Sequence, residues 1–179
     1  MKLPIAKKIN AELYAPGPSS FKRRIATVKL SANESALGPS PKAIKEYIKV
    51  SKIFGRYPDS NGKELKKILS KKFKLDPSKI ILGAGSDQIF EFVCKAFLKK
   101  NDEVIVSKFS FIVYRIYSKI NEAKIIYAEE NNYKASIKNI LSKVTKKTKI
   151  VFLANPNNPT GTYIDKNEVI SLRKKLRGE

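Results

Sequence analysis

Residues 149–161 read KIVFLANPNNPTG, in which a short apolar run leads directly into a loop of asparagine and proline. The β-branched run predicts a buried strand over 149–153. Two prolines restrict the backbone of the loop, so the side-chain amide of Asn158 can be held in one direction, where it could donate to a phenolate oxygen. An ordinary Asx/proline turn would explain a single Asn-Pro pair. The whole run at a strand end favours a ligand-binding loop, because open α/β sheets bind ligands there.

Strand and helix patterns alternate around this loop. Apolar β-branched runs predict strands over 80–82, 104–106 and 124–127, and helical stripes predict helices over 86–99, 111–120, 136–144 and 165–176. Alternation of this kind is typical of βαβ units. We therefore predict an α/β fold, with a mostly parallel sheet and flanking helices.

The N-terminal part is organised differently. Residues 1–28 contain Pro-Gly-Pro and predict an irregular arm, followed by a short strand over 28–32. A helix is predicted from Pro41, which suits a first helical turn, and a second helix over 63–73, with a loop over 54–62 between them.

The composition restricts the chemistry. The chain has 179 residues, a length that suits one domain, with no histidine and a single cysteine, Cys94. Zinc hydrolysis and Ser-His or Cys-His triads are therefore nearly excluded, and no metal site is predicted. Cys94 lies on an apolar helical stripe, which predicts a small core residue. Because no long apolar run follows the first charges, we expect no signal peptide, no membrane span and a cytoplasmic protein.

The net charge of +21 admits a second class of function. A basic excess of this size can neutralise phosphates, so a basic nucleic-acid-binding module is an alternative. However, the cations are 31 lysines and only 6 arginines, spread along the chain. Proteins that read bases favour arginine, and a coding sequence rich in A and T would also produce many lysines. We therefore expect no specific nucleic-acid partner and no membrane partner.

Five segments, in order along the chain, resemble the fold-type I aminotransferases that use pyridoxal 5'-phosphate, most closely the histidinol-phosphate aminotransferase branch. The segments are LYAPG at 13–17, LSANE at 30–34 with GPSP at 38–41, RYPD at 56–59, GAGSDQ at 83–88 and NPNNPTG at 155–161. The resemblance covers essentially the whole chain, but only about the first half of the family's length. The first segment and RYPD favour the histidinol-phosphate branch, whereas the last two occur across many aminotransferases.

The segment GAGSDQ resembles the loop that binds the cofactor phosphate, which implies cofactor-binding roles for Gly85, Ser86, Asp87 and Gln88. Elementary physics agrees, because glycines after a strand and a helix start bring free N–H groups and the positive end of the helix dipole to one spot. Ser86 is predicted as the N-cap of that helix. The alternative is that the glycines only end the strand and Ser86 only caps the helix. The family usually has Glu at the position of Gln88.

The resemblance assigns further residues to the site. It implies that Asn158 lies under the cofactor ring and that the ring of Phe111 stacks on the pyridine, although Phe111 could simply be a core residue. It also implies that Tyr57 crosses a two-fold interface to reach the cofactor phosphate of a partner subunit. Tyr14 and Asn33 would bind substrate. The complete enzyme is expected to be a homodimer.

The catalytic groups of the family match no position of this chain. The lysine that holds the cofactor aldehyde as a Schiff base and the carboxylate on the pyridine nitrogen both lie downstream of the NPNNPTG loop in the family. We therefore predict an arm and small-domain segment over 1–40 and a partial cofactor-binding large domain over 41–179, truncated before the catalytic lysine. The chain alone is expected to be inactive.

The resemblance also implies a reaction. It converts imidazole acetol phosphate and glutamate to histidinol phosphate and 2-oxoglutarate, a step of L-histidine biosynthesis. The substrates are small amino and keto acids. A phosphothreonine decarboxylase or an aromatic aminotransferase of the same fold remains an alternative, because these motifs bind cofactor and do not select substrates.

Overall fold

The computed structural model describes residues 9–11 and 32–176, and the chain forms two compact units. One comprises residues 15–82, and the other comprises residues 1–14 together with 83–179. Nearly all of the predicted arm over 1–28 and of the predicted strand over 28–32 lies outside the described residues. The units divide after Leu82, whereas the predicted division at residue 40 refers to domains of the complete family fold and stays a prediction.

The smaller unit contains two helices, as predicted. Helix α1 spans Pro41–Ser51 and begins with proline in its first turn, and helix α2 spans Lys63–Phe73. A 3-10 turn at Pro77–Lys79 follows. Both helices are amphipathic, and neither contains a buried residue within the part of the chain that the structure describes.

The side chain of Asp59 stabilises the start of α2. Its carboxylate accepts the N–H of Lys63 at 2.7 Å and the N–H of Asn61 at 3.0 Å. These two bonds, that of Lys63 first, lower the pKa of Asp59 below its usual 3.8. Because the folded pKa lies below the unfolded pKa, this stabilisation is fully present above the unfolded pKa. It is lost as the pH falls through the folded pKa.

We expect an NMR titration of the Asp59 carboxyl to show a midpoint below 3.8, with the amide signals of Asn61 and Lys63 shifting at the same midpoint. In an Asp59→Asn variant both amides should lose this acid-dependent shift. A midpoint at or above the usual value would contradict the assignment.

The larger unit is an α/β sandwich. Its strands are β1 (Glu103–Ser107), β2 (Lys124–Ala128) and β3 (Thr148–Phe152), all parallel in the order β2-β1-β3. Its helices are α3 (Gly85–Phe97), α4 (Ile112–Ile120), α5 (Ile137–Ser142) and α6 (Lys166–Lys175). The predicted α/β class, the parallel sheet and these seven elements are confirmed. Within the described ranges, no helix has the length and apolar character needed to cross a bilayer.

Alternation along β1 produces a core on each face of the sheet. Val104 and Val106 pack with residues of α3 and α4, including Cys94 and Tyr114. Ile105 points to the other face, where it packs with residues of α5 and α6. Cys94 is fully buried, as predicted, and burial raises the pKa of its thiol.

The predicted strand over 80–82 is wrong. Ile80 has an extended backbone, with φ −102° and ψ 122°, but the segment pairs with no strand among the described residues, and Ile81 is exposed. Among the described residues the sheet consists of β2, β1 and β3. An apolar β-branched run expresses a local preference, whereas a strand requires a hydrogen-bonded neighbour.

Candidate functional site

Helices α3 and α4 begin at the edge of the sheet where the strands end. In the second turn of α3, the ring of Phe90 lies 4.9 Å from that of Tyr114, in the first turn of α4, and 5.9 Å from that of Phe152, the last residue of β3. One turn later, Cys94 of α3 lies beside Ser118 of α4, and both residues are fully buried. The two helices therefore run in the same direction. Their N-termini lie at the same edge as the loop that follows β3.

The start of α3 differs from the prediction in its cap. Ser86 lies inside the first turn, and the N-cap is Ala84, so the predicted capping role of Ser86 is wrong. The reason is Gly85, which begins the helix one residue before Ser86. Its φ of +79° is a backbone conformation that glycine adopts without a steric cost. The Ala84 N–H donates to the side-chain oxygen of Gln88 at 2.8 Å, and no side chain among the described residues caps the N–H groups of the first turn.

Two backbone donors remain available at this helix start. The N–H groups of Ser86 and Asp87 donate to no group among the residues that the structure describes, and both residues are exposed. A Cβ added at Gly85 would meet no atom within 4 Å, so the space beside the turn is open. Unpaired N–H groups at the positive end of a helix dipole attract an anion.

The loop after β3 is held by its own asparagines. Asn155 pairs with both backbone groups of Ile164, at 3.0 Å each. The N–H of Asn157 donates to the Thr162 carbonyl at 2.8 Å, and the Asn157 carbonyl accepts from Gly161 at 2.8 Å. The peptide bonds at 155–156 and 158–159 are cis. The hydrogen bonds of Asn155 and Asn157 hold the loop in one defined shape.

Asn158 and Phe111 both lie at this edge. The side-chain amide of Asn158 is half-buried and bonds to no partner within the described ranges. Phe111 immediately precedes α4, and its half-buried ring lies 5.9 Å from that of Tyr114, against the core of α3 and α4. The structure thus brings the start of α3, Phe111 and Asn158 to one edge of the sheet. Their cofactor-binding roles stay predictions.

Three other predicted site residues lie in the smaller unit or outside the described residues. Tyr57 is 100% exposed in the loop between α1 and α2 of the smaller unit. Asn33, which precedes α1 in the same unit, is also exposed. Tyr14 lies outside the described residues. The interface role of Tyr57 and the substrate roles of Asn33 and Tyr14 stay predictions.

Residues that the sequence analysis did not single out connect the three loops at the carboxyl edge. Glu130, just after β2, accepts the N–H of Phe109 at 3.0 Å, and Asn157 donates to the Phe109 carbonyl at 3.1 Å. Thr162 donates to the Tyr133 carbonyl at 2.8 Å. The position of Glu130 just after a strand could have marked it as a candidate site residue. Asn157 belongs to the NPNNPTG run, but no local sequence feature distinguishes its role from that of Asn158.

Burial affects the charge of Glu130. Desolvation raises the pKa of its carboxyl above the usual range, and the repulsion of Glu129 acts in the same direction. The hydrogen bond from the Phe109 N–H and the charge of Lys108 oppose this shift.

Sequence comparisons identify the family. The family model for aminotransferase class I and II matches residues 25–177. A histidinol-phosphate aminotransferase of Pelagibacter ubique is 51% identical over 176 residues, which cover 98% of this chain and 49% of the relative. The enzyme of the same name from Paramagnetospirillum magneticum is 43% identical, over 93% of this chain and 46% of the relative. The chain thus spans about half the length of the curated relatives it matches.

Solved structures share the fold. The histidinol-phosphate aminotransferase from Sinorhizobium meliloti, determined in complex with pyridoxal-5'-phosphate, matches with a TM-score of 0.78 and 21% identity, over 82% of this chain and 40% of that one. An alanine aminotransferase from Pyrococcus furiosus matches with a TM-score of 0.68 and 25% identity, over 75% of this chain and 38% of that one. The architecture is therefore that of the fold-type I enzymes. The chain belongs to the aminotransferase class I and II family.

Proposed function

We propose that this chain forms the N-terminal part of a pyridoxal-phosphate-dependent histidinol-phosphate aminotransferase. The reaction transfers an amino group from glutamate to imidazole acetol phosphate and yields histidinol phosphate and 2-oxoglutarate. One observation carries the proposal: relatives of that name are 43% to 51% identical over more than nine-tenths of this chain.

The residues at the carboxyl edge fit the cofactor. The N–H groups of Ser86 and Asp87 and the side-chain amide of Asn158 bond to none of the described residues. The two N–H groups suit the cofactor phosphate, and the amide suits the phenolic oxygen of its ring. Phe111 offers a ring face for stacking. When bound, the cofactor supplies an aldehyde that takes up the amino group and a ring that accepts electrons. The chain's own residues would anchor and orient it.

Other parts of the function belong to the complete enzyme. We assign the lysine that holds the aldehyde and the carboxylate on the ring nitrogen to no residue of this chain. The full exposure of Tyr57 is compatible with a contact to a second subunit, and we propose a homodimer in which Tyr57 reaches the partner's cofactor phosphate. Tyr14 and Asn33 are proposed to bind substrate. The single cysteine agrees with a reducing compartment, and we propose the cytoplasm.

The other functions have less support. A phosphothreonine decarboxylase or an aromatic aminotransferase would use the same cofactor residues, so only substrate tests separate them. For a nucleic-acid-binding module we would expect one concentrated basic face. In the larger unit, exposed lysines occur instead on helices of both faces of the sheet, such as Lys95 on α3 and Lys138 on α5.

A chimeric enzyme tests the proposal. The matched segment of the Pelagibacter ubique relative is replaced by this chain, and glutamate formation from histidinol phosphate and 2-oxoglutarate is measured. We expect turnover with histidinol phosphate well above that with aromatic amino acids. A folded chimera that prefers an aromatic amino acid would support the alternative. A folded chimera without any transamination would contradict both.

The role of Asn158 is testable on this chain alone. The probe is pyridoxine 5'-phosphate, whose alcohol replaces the aldehyde and cannot condense with surface lysines. We expect Asn158→Ala to raise its Kd about fivefold, the cost of one hydrogen bond at a partly buried site. The Kd for inorganic phosphate should not change.

Asn167→Ala serves as the matched control, because Asn167 is an exposed asparagine of α6. Thermal unfolding of both variants should stay near that of the wild type, since the Asn158 amide bonds to none of the described residues. An unchanged Kd for pyridoxine 5'-phosphate in Asn158→Ala would count against its assignment.

A further inference from the structure

The backbone of Phe109 is held from both sides by residues of two other loops. Its N–H donates to the Glu130 carboxylate, at 3.0 Å from Oε1 and 3.3 Å from Oε2. Its carbonyl accepts from Nδ2 of Asn157 at 3.1 Å. Asn157 is only 6% exposed, and its Nδ2 also donates to Thr160 at 2.8 Å. We call Glu130 and Asn157, with these bonds, the Phe109 clamp.

The clamp acts close to the ring predicted to stack on the cofactor. Phe111 lies two residues after Phe109, and Ser110 between them bonds back to the Ser107 carbonyl through its hydroxyl at 2.6 Å and its N–H at 3.2 Å. The Phe111 carbonyl accepts from Tyr114 in the first turn of α4. The connection from Phe109 to Phe111 therefore has little freedom. A displacement of the Phe109 backbone would therefore be expected to move the Phe111 ring.

We propose that Asn157 and Glu130 are positioning residues: they clamp the Phe109 backbone and so fix the ring of Phe111 where it stacks on the cofactor. This inference rests on the proposed function. Neither side chain needs to touch the cofactor. Asn157 comes from the loop after β3 and Glu130 from the loop after β2, so the clamp aligns both loops with the one that follows β1.

The clamp uses the accepting oxygens of Glu130 and does not require its charge. Burial disfavours the charged form of Glu130, yet two oxygens of this side chain reach one backbone N–H. A glutamine would keep one accepting oxygen, whereas an alanine would leave the Phe109 N–H without a protein partner. Comparing Glu130→Gln with Glu130→Ala therefore tests the contribution of the hydrogen bond independently of the charge.

The experiment measures Kd values of the full chain for pyridoxine 5'-phosphate and for inorganic phosphate. We expect Asn157→Ala and Glu130→Ala each to weaken binding of pyridoxine 5'-phosphate about threefold to tenfold, as loss of one hydrogen bond or part of a ring stack would. Binding of inorganic phosphate should be unchanged. Glu130→Gln should bind like the wild type.

Asn121→Ala is the matched control. Its side-chain amide donates to the Tyr117 carbonyl at 2.8 Å, the same kind of bond as in the clamp, but at the C-terminal end of α4. It should leave both Kd values unchanged. If Asn157→Ala fails to fold, Glu130→Ala, whose side chain is only half-buried, carries the test.

A double-mutant cycle with Phe111→Ala distinguishes positioning from a general effect. In the Phe111→Ala background the clamp variants should cause no further loss, because the ring they position is gone. Additive losses, or equal losses for inorganic phosphate, would overturn the inference.

The same data separate the inference from the proposed function. A wild-type chain that binds pyridoxine 5'-phosphate no better than inorganic phosphate would contradict the proposed function and the inference with it. If the wild type binds and Phe111→Ala weakens binding but the clamp variants do not, only the inference fails.

Discussion

Replacing Ser86 by Asp is expected to weaken the binding of pyridoxine 5'-phosphate and of inorganic phosphate by at least about tenfold, because a carboxylate at hydrogen-bond distance repels a dianion strongly. The free energy of unfolding of the chain should instead increase. Ser86 is exposed in the first turn of α3, where a negative charge interacts favourably with the helix dipole. A loss of binding without a loss of stability would be specific to an anion site.

Ala96→Asp provides the control for added charge. Ala96 is exposed in the last turn of the same helix, so the new carboxylate lies far from the helix start. We expect unchanged Kd values and a small decrease in stability, because a negative charge at a helix C-terminus opposes the dipole. Unchanged phosphate binding in Ser86→Asp would rule out the start of α3 as the phosphate site. Isothermal titration and thermal unfolding measure the two quantities.

Truncating Ile105 to Ala is expected to lower the free energy of unfolding by about 3 kcal/mol, within the usual range for deleting a large buried aliphatic side chain. Ile105 is fully buried in the central strand, paired with Ile126 on one side and Val151 on the other. Its side chain fills the core under α5 and α6. Helices too short to be stable alone cannot close the resulting cavity without losing their own contacts.

The matched control deletes the same atoms from a half-exposed site. Ile170 on α6 is 40% exposed, and Ile170→Ala should change the free energy of unfolding by less than about 1 kcal/mol. Urea denaturation followed by circular dichroism compares the two variants. Equal decreases in the free energy of unfolding for the two variants would contradict the expectation that the core around the central strand stabilises the larger unit most.

Much of the larger unit follows from local patterns. Period-two and helical repeats of apolar residues determine where strands and helices form, since an element must bury one face to be stable. In the smaller unit, too, the boundaries of α2 were predicted at Lys63 and Phe73. In the larger unit, the burial of Cys94 followed from its place on an apolar stripe. The position of the NPNNPTG loop at the carboxyl edge followed from its place after a strand.

The tertiary structure decided which groups are paired and which remain available. Residues 80–82 have the pattern of a strand but pair with no strand among the described residues. The helix begins at Gly85, and Gln88 accepts the Ala84 N–H. Two adjacent asparagines are separated in role only by the fold, which buries Asn157 and leaves the amide of Asn158 unpartnered among the described residues.

The physical reason is the distance along the chain between bonded groups. Phe109 is bonded to Glu130, 21 residues away, and to Asn157, 48 residues away. A local pattern records whether a side chain prefers burial or a given backbone conformation. Which donor meets which acceptor depends on how the sheet orders its strands and aligns the loops at their ends.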